Sequence, residues 1–260
     1  MIFATDLDRT MIFSKRFLDK NNKNLTIGFK DGKGYSYFTK KQKQMLKDLE
    51  TKIIIIPCTT RSKEEFERVP FFNECSFAIY DNGASIKIGD DIDYQWQFIM
   101  QENMRMCFKD LLEKQQDLET KDFVIKEVKL VDNYFLFSKT DNIDKCRRYL
   151  EDTLDKSKFY YSISSTKFYI FPNFISKKHA LQYITDKIGD TDIIVAGDSD
   201  VDFQMIDLAT KKSFIPLHDI TKTISLPENV IIVKEKGLFS GEIILDNIYK
   251  ILESEEKKND

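Results

Sequence analysis

The chain has little from which to build a zinc site or a disulfide framework. Its four cysteines, Cys58, Cys75, Cys107 and Cys146, are widely spread, no Cys-x-x-Cys occurs, and its two histidines are His179 and His218. Both frameworks need such ligands in closer groups. Thiols used this way suit a reducing compartment, so a cytoplasmic location is expected. No apolar run approaches the roughly 18 residues of a membrane span. The N-terminus lacks a basic segment followed by a long apolar one, so no secretory signal is expected and no membrane partner either. The net charge of −3 withholds the basic surface that general nucleic-acid binding requires. Lysines are many but interleaved with acids, which reads as solvated faces.

What is present suits a folded enzyme of some size. The 260 residues are 42% hydrophobic, more than one small core needs, so one large domain or a core with an inserted one is expected. The 21 Phe and 11 Tyr read mostly as core, with no patterned stacking platform.

The chain is organised around its first ten residues. A short apolar run, Met1 to Thr5, leads into Asp6-Leu7-Asp8-Arg9-Thr10. Residues two apart on an extended chain share a side, so Asp6, Asp8 and Thr10 can meet where the first strand ends. Two carboxylates that close repel unless a divalent cation lies between them or one keeps its proton. Either condition suits phosphoryl transfer, in which one carboxylate attacks phosphorus and a protonated neighbour serves the leaving group. A solvated turn is the plainer reading of the motif alone.

Further buried strands follow the same plan. The β-branched run at 53–57 ends in Cys58-Thr59-Thr60-Arg61-Ser62, and Asp192 to Ala196 ends in Gly197-Asp198-Ser199-Asp200-Val201-Asp202. Helices are expected at about 39–51 with Thr39 as N-cap, 62–69, 176–188, 201–209 and 240–253, and further strands at 77–80, 213–216 and 230–233. Residues 14–38 read as a long loop or small hairpin, and the charged tail from Glu255 as frayed. Strand and helix in alternation predict an α/β fold with a parallel sheet. Between the second and third buried strands the pattern changes. Helices at about 101–117 and 141–156 are each followed by two strand-like runs, 123–130 with 134–139, and 159–163 with 167–171. This predicts a separate α+β unit of about 90 residues, with the core at 1–85 and 175–260 and the insertion at 86–174. Ligands of open α/β sheets bind at the carboxyl ends of strands, and here three such ends carry groups that one reaction needs.

In these residues the chain resembles the haloacid dehalogenase superfamily of phosphohydrolases, and within it the Cof-type and sucrose-phosphatase-like branch. The carriers are Asp6 to Thr10, Thr59 in PCTTRS, Lys177 in SKKHAL, the GDSDVD run and the Asp81-Asn82-Gly83-Ala84 stretch. The resemblance spans almost the whole chain. It implies a Rossmann-like core with a cap that sets specificity, and hydrolysis of a small phosphorylated substrate, best a sugar phosphate. It implies Asp6 as nucleophile and Asp8 as general acid and then base. It implies Thr59 and Lys177 on the phosphate, with Thr60, Arg61 and Asn82 as further substrate contacts. It implies Mg²⁺ held by Asp6, the backbone carbonyl of Asp8, and Asp198, with Asp202 supporting Lys177 or a metal-bound water. The chain departs from the pattern at Thr60 and Lys178, where Gly is usual, and at Val201, where Asn is usual. Thr59 reads equally as a helix N-cap, Arg61 as a surface pair, and Asp81 and Asn82 as turn residues. His179 reads as a helix-surface residue, and no Glu completes a calcium loop after Asp198. A phosphomutase and a phosphometabolite-binding regulator are the rival readings, and monomer and dimer both stay open.

Overall fold

The computed structural model describes residues 1–18, 24–217, 226–235 and 237–259; His218 lies outside them. Strand β1 (Ile2–Thr5) is followed by the hairpin β2 (Asn24–Lys30) and β3 (Lys33–Thr39), helix α1 (Lys40–Leu49) and strand β4 (Ile54–Pro57). Short helices α2 (Lys63–Glu67) and α3 (Pro70–Asn73) lead to β5 (Phe77–Tyr80), β6 (Ser85–Ile88) and β7 (Asp91–Ile92). Then come α4 (Tyr94–Arg105), α5 (Phe108–Glu119), β8 (Lys129–Val131), β9 (Phe135–Lys139), α6 (Ile143–Thr153), β10 (Phe159–Ser164) and β11 (Lys167–Pro172). The chain closes with α7 (Lys177–Ile188), β12 (Ile193–Ala196), α8 (Asp200–Ile206), β13 (Ser213–Pro216), β14 (Val230–Val233) and α9 (Leu238–Asn259).

The five-stranded parallel sheet runs β14-β13-β12-β1-β4. Its strands read as continuous apolar runs because both faces are covered. Ile2, Ala4, Ile56 and Val195 pack on one side with Ala180, Leu181 and Ile184 of α7. Phe3, Ile55 and Ile194 face the other way, against Leu46 and Leu49 of α1 and Ile244, Leu245 and Ile248 of α9. The chain leaves β1 to build β4 on one side and returns later to build β12 on the other. The carboxyl end of β1 is therefore a topological switch point, where a crevice opens.

The inserted unit is a four-stranded antiparallel sheet, β10-β11-β9-β8, with α4, α5 and α6. Three details differ from the sequence expectation. The helix expected at 101–117 is two helices, α4 and α5, meeting at Met106 and Cys107, and α4 starts at Tyr94, ahead of the expected start. The strand expected over 123–130 is continuous only from Lys129; before it the chain makes an isolated bridge, Val124 to Thr140, and Ser138 Oγ and Gln115 Nε2 bond the carbonyls of Lys126 and Val128. The tail is helical to Asn259 rather than frayed from Glu255, whose carboxylate meets Lys211 at 2.5 Å. The segment read as a loop or hairpin contains the β2–β3 hairpin. Thr39 caps α1 as expected, its hydroxyl accepting from the amide of Gln42. Among the described residues no helix is long and apolar enough to cross a membrane.

The insertion is fastened where Asp81-Asn82-Gly83 leaves β5. Gly83 has φ of 102°, and a Cβ there would lie 2.2 Å from the carbonyl oxygen of Ser176 and 3.0 Å from the amide of Lys177. The outgoing and returning chains thus cross in backbone contact, and only glycine fits. The variant Gly83→Ala is expected to lose about 3 kcal/mol of stability. A urea unfolding midpoint equal to that of the parent protein would refute this close crossing.

Candidate active site

The end of β1 delivers Asp6 into the crevice with its carboxylate almost fully buried, and its amide donates to the carbonyl of Ala196 at 2.8 Å. The chain then doubles back: the amides of Met11 and Ile12 bond the carbonyl of Leu7, and Arg9 takes a left-handed φ of 66°. This tight loop brings the Thr10 hydroxyl within 3.4 Å of Asp6 Oδ2. Helix α7 begins with Ser176 as N-cap, which puts Lys177 in its first turn and aims it inward. The Lys177 ammonium is 1% exposed and donates to Asp6 Oδ1 at 2.7 Å and to Asp202 Oδ1. Lys178, the neighbour that could have taken this part, points out to Asp207 at 2.7 Å. His179 is exposed on the same helix.

Asp202 has a second task. Its Oδ2 accepts the amides of Asp198 and Ser199 at 3.1 and 2.9 Å and the Ser199 hydroxyl at 2.6 Å, which ties the loop after β12 to the start of α8. Gly197 is required beside it, since a Cβ there would stand 2.3 Å from the Cβ of Asp202. Carboxylate oxygens of Asp6, Asp198 and Asp202 lie within 4.8 Å of one another. The Asp8 carboxylate is not part of that group.

These buried acids outnumber the cations among them. Burial first, then the charge of Asp202, raise the Asp6 carboxyl to about 7. Burial, then Asp6 and Asp202, also hold Asp198 well above its ordinary value. Burial alone would lower the Lys177 ammonium, but Asp202 and Asp6 outweigh it and raise it. The other cation in reach is Arg9, 3.9 Å from Asp198 and 42% exposed. A hard divalent cation with oxygen preference fits this surplus of carboxylate.

Asp8 faces the opposite way. Arg61 grips it with two donors, Nε to Oδ2 at 2.7 Å and Nη2 to Oδ1 at 2.8 Å, while Nη2 also reaches Ser36 of the hairpin and Nη1 the carbonyl of Glu65. The guanidinium is buried and the Asp8 side chain is 55% exposed. Against the cost of losing water, Arg61 holds the Asp8 carboxyl below its ordinary value. The sequence offered no sign of this fork, because its members are 53 residues apart.

Thr59 is buried at the end of β4. Its hydroxyl accepts from the amide of Arg61, and its backbone bonds Ile79 and Asn82. The N-cap of α2 is Ser62, not Thr59. Thr60 lines the crevice. Asn82 does not: it is fully buried, and its amide donates to the hydroxyl of Tyr160 in the insertion, which in turn donates to the carbonyl of Ile175.

A cavity of about 290 Å³ stands over Asp6 and Lys177, between the loop after β1 and the β10–β11 turn. An adjoining space of about 390 Å³ shares Asp8, Tyr35, Thr60, Lys167 and Tyr169 with it.

Residues 111–214 match the family of haloacid dehalogenase-like hydrolases. Among solved structures, a sucrose-phosphatase from Synechocystis sp. PCC6803 with sucrose and phosphate superposes with a TM-score of 0.66 at 15% identity, over 96% of this chain and 97% of that one. A trehalose-6-phosphate phosphatase related protein gives 0.57 at 15% identity, over 98% and 100%. A haloacid dehalogenase-like hydrolase from B. subtilis gives 0.54 at 13% identity, over 89% and 94%. The comparison with curated proteins gives no significant match. The likeness is thus in sequence over residues 111–214 and in fold along nearly the whole length, to structures with a parallel-sheet core and an inserted α+β unit like those seen here.

Proposed function

We propose that the protein is a Mg²⁺-dependent phosphatase of a small phosphorylated metabolite, a sugar phosphate, acting from the cytoplasm through an aspartyl-phosphate at Asp6. The observation that carries this is Asp6 itself. It is a buried carboxylate at a strand end, paired with a buried lysine 2.7 Å away, inside a carboxylate cluster that needs one more cation. The sucrose-phosphatase and the trehalose-6-phosphate phosphatase related protein share the fold and add support.

Asp6, Asp198 and the backbone carbonyl of Asp8 would hold Mg²⁺, which when bound neutralises charge between the attacking carboxylate and the phosphate. Lys177 neutralises a further phosphoryl oxygen and fixes Asp6 Oδ1, leaving Oδ2 freer, with only the Thr10 hydroxyl at 3.4 Å. The Asp6 oxygen attacks phosphorus, the ester oxygen departs with a proton from Asp8, and Thr59 donates to the phosphoryl group. A water then attacks the aspartyl-phosphate and gives a proton to Asp8, releasing phosphate and restoring Asp6. Asp8 in the Arg61 fork is set as a carboxylate, the form the second half needs. To serve as acid in the first half it must leave the fork and take up a proton. Asp202 acts through Lys177 and the loop it ties, as a positioning residue. The core spans 1–85 and 175–260 and the cap 86–174 in this reading, although β6 and β7 pair with β5 and the cap's first helix starts at Tyr94.

Two outcomes are expected. Phosphate release from sugar phosphates requires Mg²⁺, stops with EDTA, and falls by roughly 10⁴-fold or more in Asp6→Asn; release that survives this substitution would remove Asp6 as nucleophile. Saturating Mg²⁺ raises the melting temperature by about 5–10 °C over the EDTA-treated protein. The rise is largely lost in Asp198→Asn, and an equal rise in both proteins would place the cation elsewhere.

A further inference from the structure

The carboxylates of the crevice have partners in the reading above: Asp6, Asp198 and Asp202 with Lys177 and the divalent cation, and Asp8 with Arg61. The cations do not balance in return. Lys167 begins β11 at the turn of the cap that overhangs Asp6, and it lines both the 290 Å³ cavity and the adjoining 390 Å³ space. Among the described residues no carboxylate lies within ion-pair distance of its ammonium, which stands 5.9 Å from the centroid of the Phe137 ring. Arg9, on the loop after β1, reaches up to the same turn, with Nη1 3.5 Å from Ser164 Oγ, and makes one loose pair with Asp198 at 3.9 Å.

The two cations stand close enough to oppose each other. Although solvent reaches the side chain of Lys167, the cleft walls strip part of its water and lower its pKa, and repulsion from Arg9 and Lys139 adds to this against the pull of Asp8 and Glu65. Arg16 lines the same cavity with its guanidinium 4.8 Å over the Phe17 ring. Like charges gathered with no close ion pair on Lys167 and one loose pair on Arg9 are costly unless an anion joins them. Hydroxyls fill the interval: Ser164, Ser165 and Thr166 of the turn line the cavity between this cationic mouth and the Asp6 floor. A cavity of about 290 Å³ is at the small end of ligand sites, so one compact molecule spans floor to mouth.

We propose that the substrate is a small polyhydroxylated phosphomonoester carrying a second anionic group, phosphate or carboxylate, and that Lys167 with Arg9 binds that group at the cap while the reacting phosphate sits on Asp6 and Lys177. This rests on the phosphatase reading and narrows its substrate.

The test compares kcat/KM for phosphate release from glucose 1,6-bisphosphate, 6-phosphogluconate, glucose 6-phosphate and p-nitrophenyl phosphate, with Mg²⁺, in the parent protein and in Lys167→Met and Lys167→Arg. A charge-assisted contact predicts that at least one compound with two anions exceeds glucose 6-phosphate by about tenfold or more. Which of the two does so tells phosphate from carboxylate. Lys167→Met is expected to erase most of that preference and Lys167→Arg to retain it. No preference in the parent protein, or an equal fall for all four esters in Lys167→Met, overturns the proposal; the second result would put Lys167 on the reacting phosphate. Asp6-dependent release from p-nitrophenyl phosphate without any preference leaves the phosphatase reading standing and removes this one alone. If no ester releases phosphate, calorimetric titration of the Mg²⁺-loaded protein decides. Tighter binding of a two-anion compound than of glucose 6-phosphate, lost in Lys167→Met, upholds the subsite, and equal binding overturns it. Interconversion of glucose 1- and 6-phosphates primed by the bisphosphate would keep the subsite and replace hydrolysis with transfer.

Discussion

The ammonium of Lys177, held between Asp6 and Asp202 out of reach of water, is the interaction on which the rest of the structure depends. Buried charges cost several kcal/mol each to desolvate, and they persist only where geometry is tight and remaining lone pairs are satisfied. The fold supplies both. Ser176 starts α7 at the one point that aims Lys177 inward, and the parallel register of β1 with β12 sets the Asp6 loop beside the Asp198–Asp202 loop. Two glycines clear the space: Gly83 lets the chain pass against Ser176, and Gly197 lets Asp202 fold over its own loop. The result is a cluster whose negative charge exceeds its positive charge. Stability and chemistry then share one requirement, because the divalent cation that would serve the reaction also relieves the fold.

The parts of this arrangement that the sequence displayed are those governed by local pattern. Ile53 to Ile56 and Ile193 to Ala196 announce doubly covered strands by being apolar throughout, and the polar residues directly after them fall at the sheet's carboxyl edge without further information. Asp6, Lys177, Asp198 and Asp202 do meet, although Asp6 and Lys177 alone are 171 residues apart, because each follows or starts an element that the pattern already located.

What the sequence withheld depends on packing between distant segments. The α4–α5 break at Met106 and Cys107 contains no glycine or proline, and the buried residues on its two sides, Met100 and Met104 before it and Leu111 and Leu118 after it, keep helical spacing across it, so the pattern reads as one helix. Thr59 reads from sequence equally as a cap or a phosphate contact, and Arg61 as a surface pair or a substrate contact; the hairpin and the loop after β1 are what separate these readings. The family resemblance implies Asn82 as a substrate contact, yet Tyr160 of the insertion takes its amide. Lys167 carried no local signal at all: one lysine among many, at a turn whose position over Asp6 is a property of the assembled cap.

Ties between the inserted unit and the core end both at the crevice loops and on α7. Tyr160 meets Asn82 beside Thr59, Ser162 donates to Asp200 at 2.6 Å within the GDSDVD loop, Arg9 reaches Ser164 from the loop that holds Asp8, the Trp96 indole donates to the carbonyl of Gly83 at 3.0 Å, and Lys187 and Tyr183 of α7 donate to Asp93 at 2.7 and 3.1 Å. The fork of Arg61 on Asp8 lies on the same frontier but is tied to the hairpin and α2, so it does not travel with the cap. The site thus has one half, Lys177 with Asp6 and Asp202, whose charges are fixed by burial, and another half in which Asp8, Arg9 and Lys167 face solvent while the Arg61 guanidinium that holds Asp8 stays buried. Long-lived pairs belong in the first half because their desolvation is already part of folding; recognition belongs in the second, where partners can change without unfolding anything.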